Sequence, residues 1–478
     1  MLFNSIEYLF FLPIVFLLYW YVFRKLQLQN FFVVVVSYIF YGWWNWTFLL
    51  LIAFTTVCSF VSGILIEREQ NRAGKLAKTY TSANICVNLL ILGIYKYYNF
   101  FASSLVEALS SIGMNVNIES LELVLPVGIS FYTFQALSYT IDVYRKKLQP
   151  THNPVEFFAF ISFFPQLVAG PIERATNLLP QFQKSRVFKY EDAVDGTRQI
   201  LWGLFKKMVI ADNCAIVVNA IFENYQSQGS LTLLYGVFMF TFQIYGDFSG
   251  YSDIAIGTAK LFGINLMRNF NYPYFSRSIP EFWRRWHISL NTWFTDYIYI
   301  PLGGSRCCRW KVIRNTIIVF FVSGLWHGAN WTFICWGLYH GCLFMPYLLL
   351  KKKTKFAVDV AQDSFFPSLK ESFQMLTTFI LVMFGWLIFR VQSMTDLFYY
   401  VEGMFSNYSM TLEFLDKKTT FFIFVLLVFE WVHRKKQFGL QLDLTKVSPL
   451  ARYSLYVIFM FLILLLSGKT TQFIYFQF

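Results

Sequence analysis

Two histidines in different surroundings are the residues of this sequence best suited to chemistry. His327 lies in GLWHGANW, near the end of an apolar segment without charges. His287 lies in WRRWHISL, directly after Arg284, Arg285 and Trp286. A neutral imidazole can remove a proton from a hydroxyl group while that hydroxyl attacks an acyl carbonyl. Because polar side chains at membrane depth are costly and tend to be functional, we predict His327 as a general base.

The neighbours of His327 fit a pocket. Gly324 and Gly328 would permit close approach of backbones, and Trp326 and Trp331 can form walls. We predict Trp326, together with Asn330, as substrate-binding. The alternative is a core histidine whose ring bonds a helix carbonyl.

His287 has basic neighbours, which suggest a second role. Guanidinium groups pair with phosphate through two parallel hydrogen bonds. Arg284 and Arg285 would therefore help His287 to hold a phosphate-bearing acyl donor, and Trp286 is included among the predicted substrate-binding residues. The alternative interpretation is an anchor of arginine, tryptophan and histidine in the lipid headgroup region.

Two acidic residues lie within the apolar run QIYGDFSGYSDIAIG. Asp247 and Asp253 could belong to a proton path or orient a histidine, and they could equally be structural acids bonded to neighbouring helices. The remaining histidines, His152, His340 and His433, form no i, i+4 pair and no H-E-x-x-H motif. No metal site is predicted.

The composition indicates a membrane protein. Of the 478 residues, 56% are hydrophobic and 21% aromatic, whereas only 14% are charged. Soluble domains carry about a quarter charged residues. The formal net charge of +13 comes from basic residues in short clusters between apolar runs. Because cytoplasmic loops of membrane proteins have this distribution, we predict no nucleic-acid partner.

The apolar runs predict an all-α polytopic protein with about 11 or 12 membrane spans, since a span needs about 20 apolar residues. We treat residues 1–478 as a single integral-membrane domain. The predicted spans are 7–23, 31–46, 48–66, 82–104, 122–141, 197–221, 231–262, 312–327, 332–350, 372–390, 419–433 and 450–467.

The basic clusters predict the orientation. They fall on one side of the predicted spans, and the positive-inside rule makes that side cytoplasmic. The N-terminus then lies outside a multi-pass protein of the cytoplasmic (inner) membrane, in contact with its lipid bilayer. The clusters occupy residues 24–25, 68–78, 145–147, 268–314, 351–355 and 434–436.

Two stretches interrupt the pattern of spans. Residues 157–172 are apolar but contain Pro165, Gly170 and Pro171, which predicts a re-entrant or interfacial element buried in protein. Residues 273–314 are dense in tryptophan, tyrosine and arginine, which is typical of a cytoplasmic interfacial segment. This segment carries His287, and the helices at 312–350 carry His327. No internal repeat supports an inverted-repeat transporter.

Five motifs, distributed in order over most of the chain, resemble those of the membrane-bound O-acyltransferases. Within that family the similarity is to the bacterial branch that includes the membrane subunit of alginate O-acetylation. The motifs are FFPQLVAGPIER, QIYGDFSGYSDIAIG, NFNYPYFSRSIPEFWRRWHISLNTWFTDYIYIPLGG, GLWHGANW and the terminal QFIYFQF.

The resemblance implies a ring of tilted helices around a central tunnel, with the acyl donor approaching from the cytoplasm. By position it implies that His327 is the catalytic residue and that His287 assists catalysis or donor binding. It also implies acetyl-coenzyme A as the donor and a cell-envelope polysaccharide as the acceptor. The expected partner is a periplasmic or extracellular acetyltransferase of the SGNH serine-hydrolase type, which completes the transfer.

Three alternatives remain open. One is D-alanyl transfer from a carrier protein to teichoic acid, for which the basic segment 268–314 could be the docking surface. Another is a transporter or lipid flippase with an intramembrane histidine. The third is a structural subunit that only docks a secreted enzyme.

Overall fold

A computed structural model describes residues 1–168, 170–350, 359–362, 364–409, 411–443, 447–468, 471, 473 and 474. Helices, turns and irregular segments account for all of these residues, without a strand among them. This confirms the predicted all-α class. The predicted basic cluster at 351–355 lies outside the described residues, and the terminal QFIYFQF motif is described only at Phe473 and Ile474.

The chain forms two compact units. The first comprises Met1–Val194 and Thr258–Met267, and the second comprises Asp195–Gly257 and Arg268–Phe478. A single acyltransferase domain and a ring of helices around a central tunnel both remain predictions.

Nine α-helices begin and end within the first unit as far as it is described. They are α1 (Ile6–Leu17), α2 (Leu26–Gly42), α3 (Thr47–Asn71), α4 (Ala77–Leu92), α5 (Tyr98–Ser111), α6 (Ile129–Tyr144), α7 (Pro154–Ser162), α8 (Phe164–Leu167) and α9 (Ala175–Phe182). The next helices are α10 (Tyr190–Leu204), α11 (Asp212–Glu223) and α12 (Ser230–Leu261).

The second unit continues with further α-helices, the first and third of which carry predicted site residues. They are α13 (Ile279–Arg285), α14 (Ile288–Phe294), α15 (Arg309–His327), α16 (Trp331–Leu349), α17 (Leu369–Arg390), α18 (Met394–Ser406), α19 (Lys417–Val432) and α20 (Pro449–Leu466).

Five helical segments of the described chain are long and apolar enough to cross a membrane, which supports a polytopic membrane protein. The total of 11 or 12 spans and the N-terminus outside stay predictions. The segments are Thr47–Asn71, Ala77–Ser111, Trp331–Leu349, Leu369–Arg390 and Pro449–Leu466.

The predicted span at 122–141 is placed too early, because α6 begins only at Ile129. Gly128 precedes it with φ 75°, a left-handed conformation that costs glycine little and ends the irregular segment before it. The predicted span at 197–221 consists of α10 and α11 joined by π-helical residues Phe205–Ala211. The interrupted stretch at 157–172 contains the end of α7 and all of α8, and its re-entry into the membrane stays a prediction.

A tight helical hairpin positions His327. Helices α15 and α16 cross so closely that a Cβ atom on Gly324 would overlap the carbonyl oxygen of Phe333. A Cβ on Gly337 would likewise overlap the carbonyl oxygen of Phe320. His327 is the last residue of α15, directly before the turn of this hairpin. The crossing therefore places its imidazole against residues of α16.

Candidate active site

A strained backbone conformation presents the His287 side chain. His287 lies between α13 and α14 with φ 44° and ψ 54°, in the left-handed region. A residue other than glycine held there costs about 1–3 kcal/mol and persists only where its surroundings enforce it. Two backbone hydrogen bonds flank the residue: Asn271 donates to the Arg285 carbonyl at 2.9 Å, and Ile288 donates to the Asn269 carbonyl at 2.9 Å.

The contacts of Asn269 determine which nitrogen of His287 carries the proton. The Asn269 Oδ1 atom lies 3.0 Å from His287 Nδ1 and accepts from Ser289 Oγ at 2.9 Å and from the Ser289 backbone nitrogen at 3.4 Å. Because a backbone N–H can only donate, the Asn269 atom is an oxygen and not the amide nitrogen. Nδ1 of His287 must then donate, which leaves the lone pair on Nε2.

The second nitrogen of His287 is buried and available. Nε2 has no hydrogen-bond partner among the described residues, and the residue is only 1% exposed. The Phe248 ring lies 4.6 Å from the imidazole, measured between centroids. Burial lowers the pKa of His287 to about 3, so the ring is neutral near pH 7. This burial argues against the headgroup anchor proposed as the alternative for His287.

Aromatic rings surround His327. The imidazole centroid lies 4.9 Å from Trp326, 4.9 Å from Trp336 and 5.3 Å from Phe389. His327 is 3% exposed. The predicted aromatic walls are therefore present, but Trp336 supplies the second indole, whereas Trp331 is 54% exposed.

Trp326 joins the two predicted histidines. Its ring lies 5.8 Å from the His287 imidazole and 4.9 Å from that of His327, measured between centroids. Residues 40 positions apart in sequence thus share one indole. Both imidazoles thus pack on the same indole, and their joint role in acid–base catalysis stays a prediction.

A third buried histidine, to which sequence reasoning gave no role in the site, belongs to this cluster. His340 on α16 lies 5.1 Å from Trp336 and 5.0 Å from Trp283. It is fully buried, and neither ring nitrogen has a hydrogen-bond partner among the described residues. The available signal was the position of His340 within an apolar predicted span. Its distance of thirteen residues from His327 fits no helical pair and gave no signal.

The adjacent arginines point to different surroundings. Arg285 is buried and donates to Glu281 at 2.9 Å and to the Asn271 carbonyl at 3.3 Å. Arg284 is exposed and lines a cavity of about 420 Å³. The guanidinium of Arg285 is thus already used within the protein, and only that of Arg284 is available to a ligand.

The remaining two predicted substrate residues have structural contacts. Trp286 is buried and packs on Trp386 at a centroid distance of 4.7 Å. Asn330 caps α16 by accepting from the Thr332 backbone nitrogen at 3.0 Å, and its amide nitrogen donates to the Gln392 carbonyl at 2.8 Å. These bonds use both ends of the Asn330 amide, and substrate binding by either residue stays a prediction.

The acids of α12 form ion pairs with two buried lysines that sequence reasoning missed. Lys207 Nζ lies 2.7 Å from Asp247 and 2.8 Å from Asp212, and Lys206 Nζ lies 2.6 Å from Asp253. Both lysines belong to the π-helical residues between α10 and α11. These pairs favour the structural interpretation of Asp247 and Asp253 over a proton path.

The part of the chain that the structure describes contains no group of three or more histidine, cysteine, aspartate or glutamate residues that could hold a metal ion.

Comparison with known proteins identifies the family. Residues 143–364 match the membrane-bound O-acyltransferase family. The "Probable alginate O-acetylase AlgI" of Pseudomonas aeruginosa is 40% identical over 407 residues, covering 85% of this chain and 75% of that protein. The "Peptidoglycan O-acetyltransferase" of Helicobacter pylori is 33% identical over 458 residues, covering 88% and 83%.

A more distant relative is named for the transfer of a different acyl group. The "Teichoic acid D-alanyltransferase" of Bacillus subtilis is 32% identical over 286 residues, covering 55% of this chain and 68% of that protein. The motifs quoted from the sequence, the buried histidines and these matches agree. The chain belongs to the membrane-bound O-acyltransferase family.

Proposed function

We propose that the protein transfers an acetyl group from acetyl-coenzyme A for O-acetylation of a cell-envelope polysaccharide. Two relatives that align with more than four fifths of the chain are named for acetylation of alginate and of peptidoglycan. The observation that carries the proposal is the pair of buried imidazoles, His287 and His327, on the single indole of Trp326. No cofactor remains bound in this scheme, because acetyl-coenzyme A is consumed as a substrate.

The proposed chemistry is acyl transfer with His327 as general base. The imidazole removes the proton of the acceptor hydroxyl as its oxygen bonds the acetyl carbonyl carbon. The carbon–sulfur bond of the thioester breaks, and the proton passes to the departing thiolate, which leaves as coenzyme A. The aromatic rings around His327 limit water, and this favours transfer over hydrolysis.

His287 would assist this transfer from the donor side. Its Nδ1 proton is held by Asn269, so Nε2 can accept a hydrogen bond or a proton. The pairing of Arg285 with Glu281 favours a positioning role for Arg285 over the predicted donor contact.

The cellular setting belongs to the same proposal. The protein would lie in the cytoplasmic membrane with its N-terminus outside, and a periplasmic or extracellular SGNH hydrolase-like acetyltransferase would complete transfer to the polymer. The predicted exterior connections are under about 30 residues, too short for an independent domain that could bind a polysaccharide.

The second candidate is D-alanyl transfer from a carrier protein to teichoic acid, which the Bacillus subtilis relative favours. This match covers 55% of the chain, compared with 85% for the alginate O-acetylase. Family membership argues against the transporter alternative, because the family is one of acyltransferases.

The test is transfer of label from radiolabelled acetyl-coenzyme A into alkali-labile ester, in inside-out vesicles that contain the partner and acceptor. The intact chain is compared with His327→Ala at equal membrane abundance. His152→Ala is the matched control, because His152 is an exposed histidine paired with Glu67 outside the site. We expect label with the intact chain and the control only. Equal label with His327→Ala would overturn the assignment, and label from a D-alanyl carrier alone would favour the second candidate.

A further inference from the structure

A cavity of about 420 Å³ lies beside the His287 segment but does not include His287 among its lining residues. One wall comes from α13, α14 and the π-helical residues that follow. The opposite wall comes from α15 and α16 and is largely apolar: Val319, Phe320, Phe344 and Leu348. Helix α16 is one of the segments able to cross a membrane. The cavity therefore has one wall with polar side chains, from α13 and α14, and one largely apolar wall, from α15 and α16.

Most hydrogen-bond donors on the lining are already used. The Thr292 hydroxyl donates to the Ile288 carbonyl at 2.8 Å, and the Thr316 hydroxyl donates to the Val312 carbonyl at 2.9 Å. The Asn291 amide donates to the Trp283 and Trp286 carbonyls at 2.7 and 2.6 Å. These side chains thus present mainly methyl groups and acceptor lone pairs to the cavity.

One donor on the lining is free within the described chain. The Arg284 guanidinium is exposed and forms no hydrogen bond or ion pair with a described residue. The Tyr299 hydroxyl hydrogen-bonds with Thr316, and the Trp283 indole N–H is buried and does not open onto the cavity. A free cation beside an apolar wall favours a ligand that joins an anionic oxygen group to a hydrocarbon chain.

We propose that this cavity binds an anionic phospholipid, with one acyl chain against α15 and α16 and the phosphate oxygens at Arg284. The acyl chain matches the apolar wall and needs no hydrogen bonds. The phosphate supplies acceptors for the guanidinium. The lipid would hold α13 and α14, which flank His287, against the α15–α16 hairpin that carries His327.

The same physical argument disfavours the pantetheine arm of a soluble thioester in this cavity. Such an arm carries amide groups, and burial of an amide carbonyl without a donor is unfavourable. Beyond Arg284, the side-chain donors on the lining are used within the protein: Asn291, Thr292, Thr295, Tyr299 and Thr316. A hydrocarbon chain makes no such demand.

The test measures bound lipid on the full-length protein, without reference to acyl transfer. The protein is equilibrated in nanodiscs of equal phosphatidylglycerol and phosphatidylcholine, extracted in mild detergent, and analysed by native mass spectrometry. We expect a retained phosphatidylglycerol in preference to phosphatidylcholine. Arg284→Gln should lower that preference about fivefold, the effect of one basic side chain near an anionic lipid, and Arg284→Lys should retain most of it.

Two further variants separate the site from general charge and folding effects. Val319→Phe fills the apolar wall and should release the lipid with Arg284 still present. Arg306→Gln removes an exposed charge that does not line the cavity and should leave retention unchanged. Thermal unfolding in detergent verifies that each variant is folded.

Equal retention by intact protein, Arg284→Gln and Val319→Phe would overturn the proposal. Release of the lipid by free coenzyme A would also overturn it and would assign the cavity to the donor. Because the readout is bound lipid, its failure would leave the proposed acetyl transfer unaffected.

Discussion

The Nδ1 atom of His287 lies 3.0 Å from the amide oxygen of Asn269, and this contact sets the chemical state of the buried imidazole. The Asn269 amide nitrogen donates to Ser252 at 3.2 Å, and Ser289 donates to the Asn269 oxygen from its hydroxyl. Asn269 is therefore held in one orientation. As a result, the Nε2 lone pair of His287 is available in the resting protein.

Replacing Asn269 should impair acyl transfer through His287. We expect Asn269→Ala to lower the transfer rate at least about tenfold, because the ring loses its orientation and its fixed tautomer. Asn269→Asp keeps an acceptor for Nδ1 and should retain more activity. The rates are measured with radiolabelled acetyl-coenzyme A at equal membrane abundance. Equal rates for Asn269→Ala and the intact protein would contradict a positioning role.

The pH profile of Asn269→Asp gives an independent measurement. A carboxylate beside Nδ1 stabilises the imidazolium and raises the pKa of His287. A base is active only when unprotonated, so the loss of rate on acidification should begin at a higher pH in this variant. A purely structural role of Asn269 would lower the rate at every pH and leave the midpoint of the profile unchanged.

The two histidines of the site should both be required, and not independently. His327→Ala and His287→Ala are each expected to lower transfer about 10²- to 10⁴-fold, the usual contribution of acid–base groups. The double variant should lose less than the product of the single losses, because groups that act together in one step are not additive. Multiplicative losses would indicate separate steps.

Trp326 should contribute to both stability and activity. Trp326→Ala removes the indole between the imidazoles and is expected to destabilise the fold by about 3–5 kcal/mol. Trp326→Phe keeps an aromatic ring and should cost less while still changing the site. Thermal unfolding in detergent and transfer rates are measured on both. Loss of stability with unchanged transfer per folded molecule would remove Trp326 from the site.

The buried lysines should be structural. Lys207→Met leaves Asp247 and Asp212 without their cation and is expected to cost about 3–5 kcal/mol of unfolding free energy. Addition of Asp247→Asn should recover part of that loss, because one uncompensated charge is removed. Full transfer per folded molecule in Asp247→Asn is the expected companion result. Selective loss of transfer at normal stability would instead support the proton path.

Sequence patterns alone determined the membrane class, several helix positions and the two principal histidines. The apolar runs at 231–262 and 332–350 correspond to α12 (Ser230–Leu261) and α16 (Trp331–Leu349), because sustained hydrophobicity is a local property. The apolar run at 122–141 predicted a helix that begins too early. Hydrophobic residues precede α6, and the left-handed Gly128 delays its beginning. His287 and His327 were identifiable because their local surroundings make them costly or unusual.

Only the tertiary structure decided which partners these residues have. Asn269 is 18 residues from His287, and Trp336 and His340 reach the site from the next helix. The sequence treated Arg284 and Arg285 alike, yet one lines a cavity and the other pairs with Glu281. Neighbouring helical residues point about 100° apart, so the packing of the helix determines which guanidinium is buried and which is free.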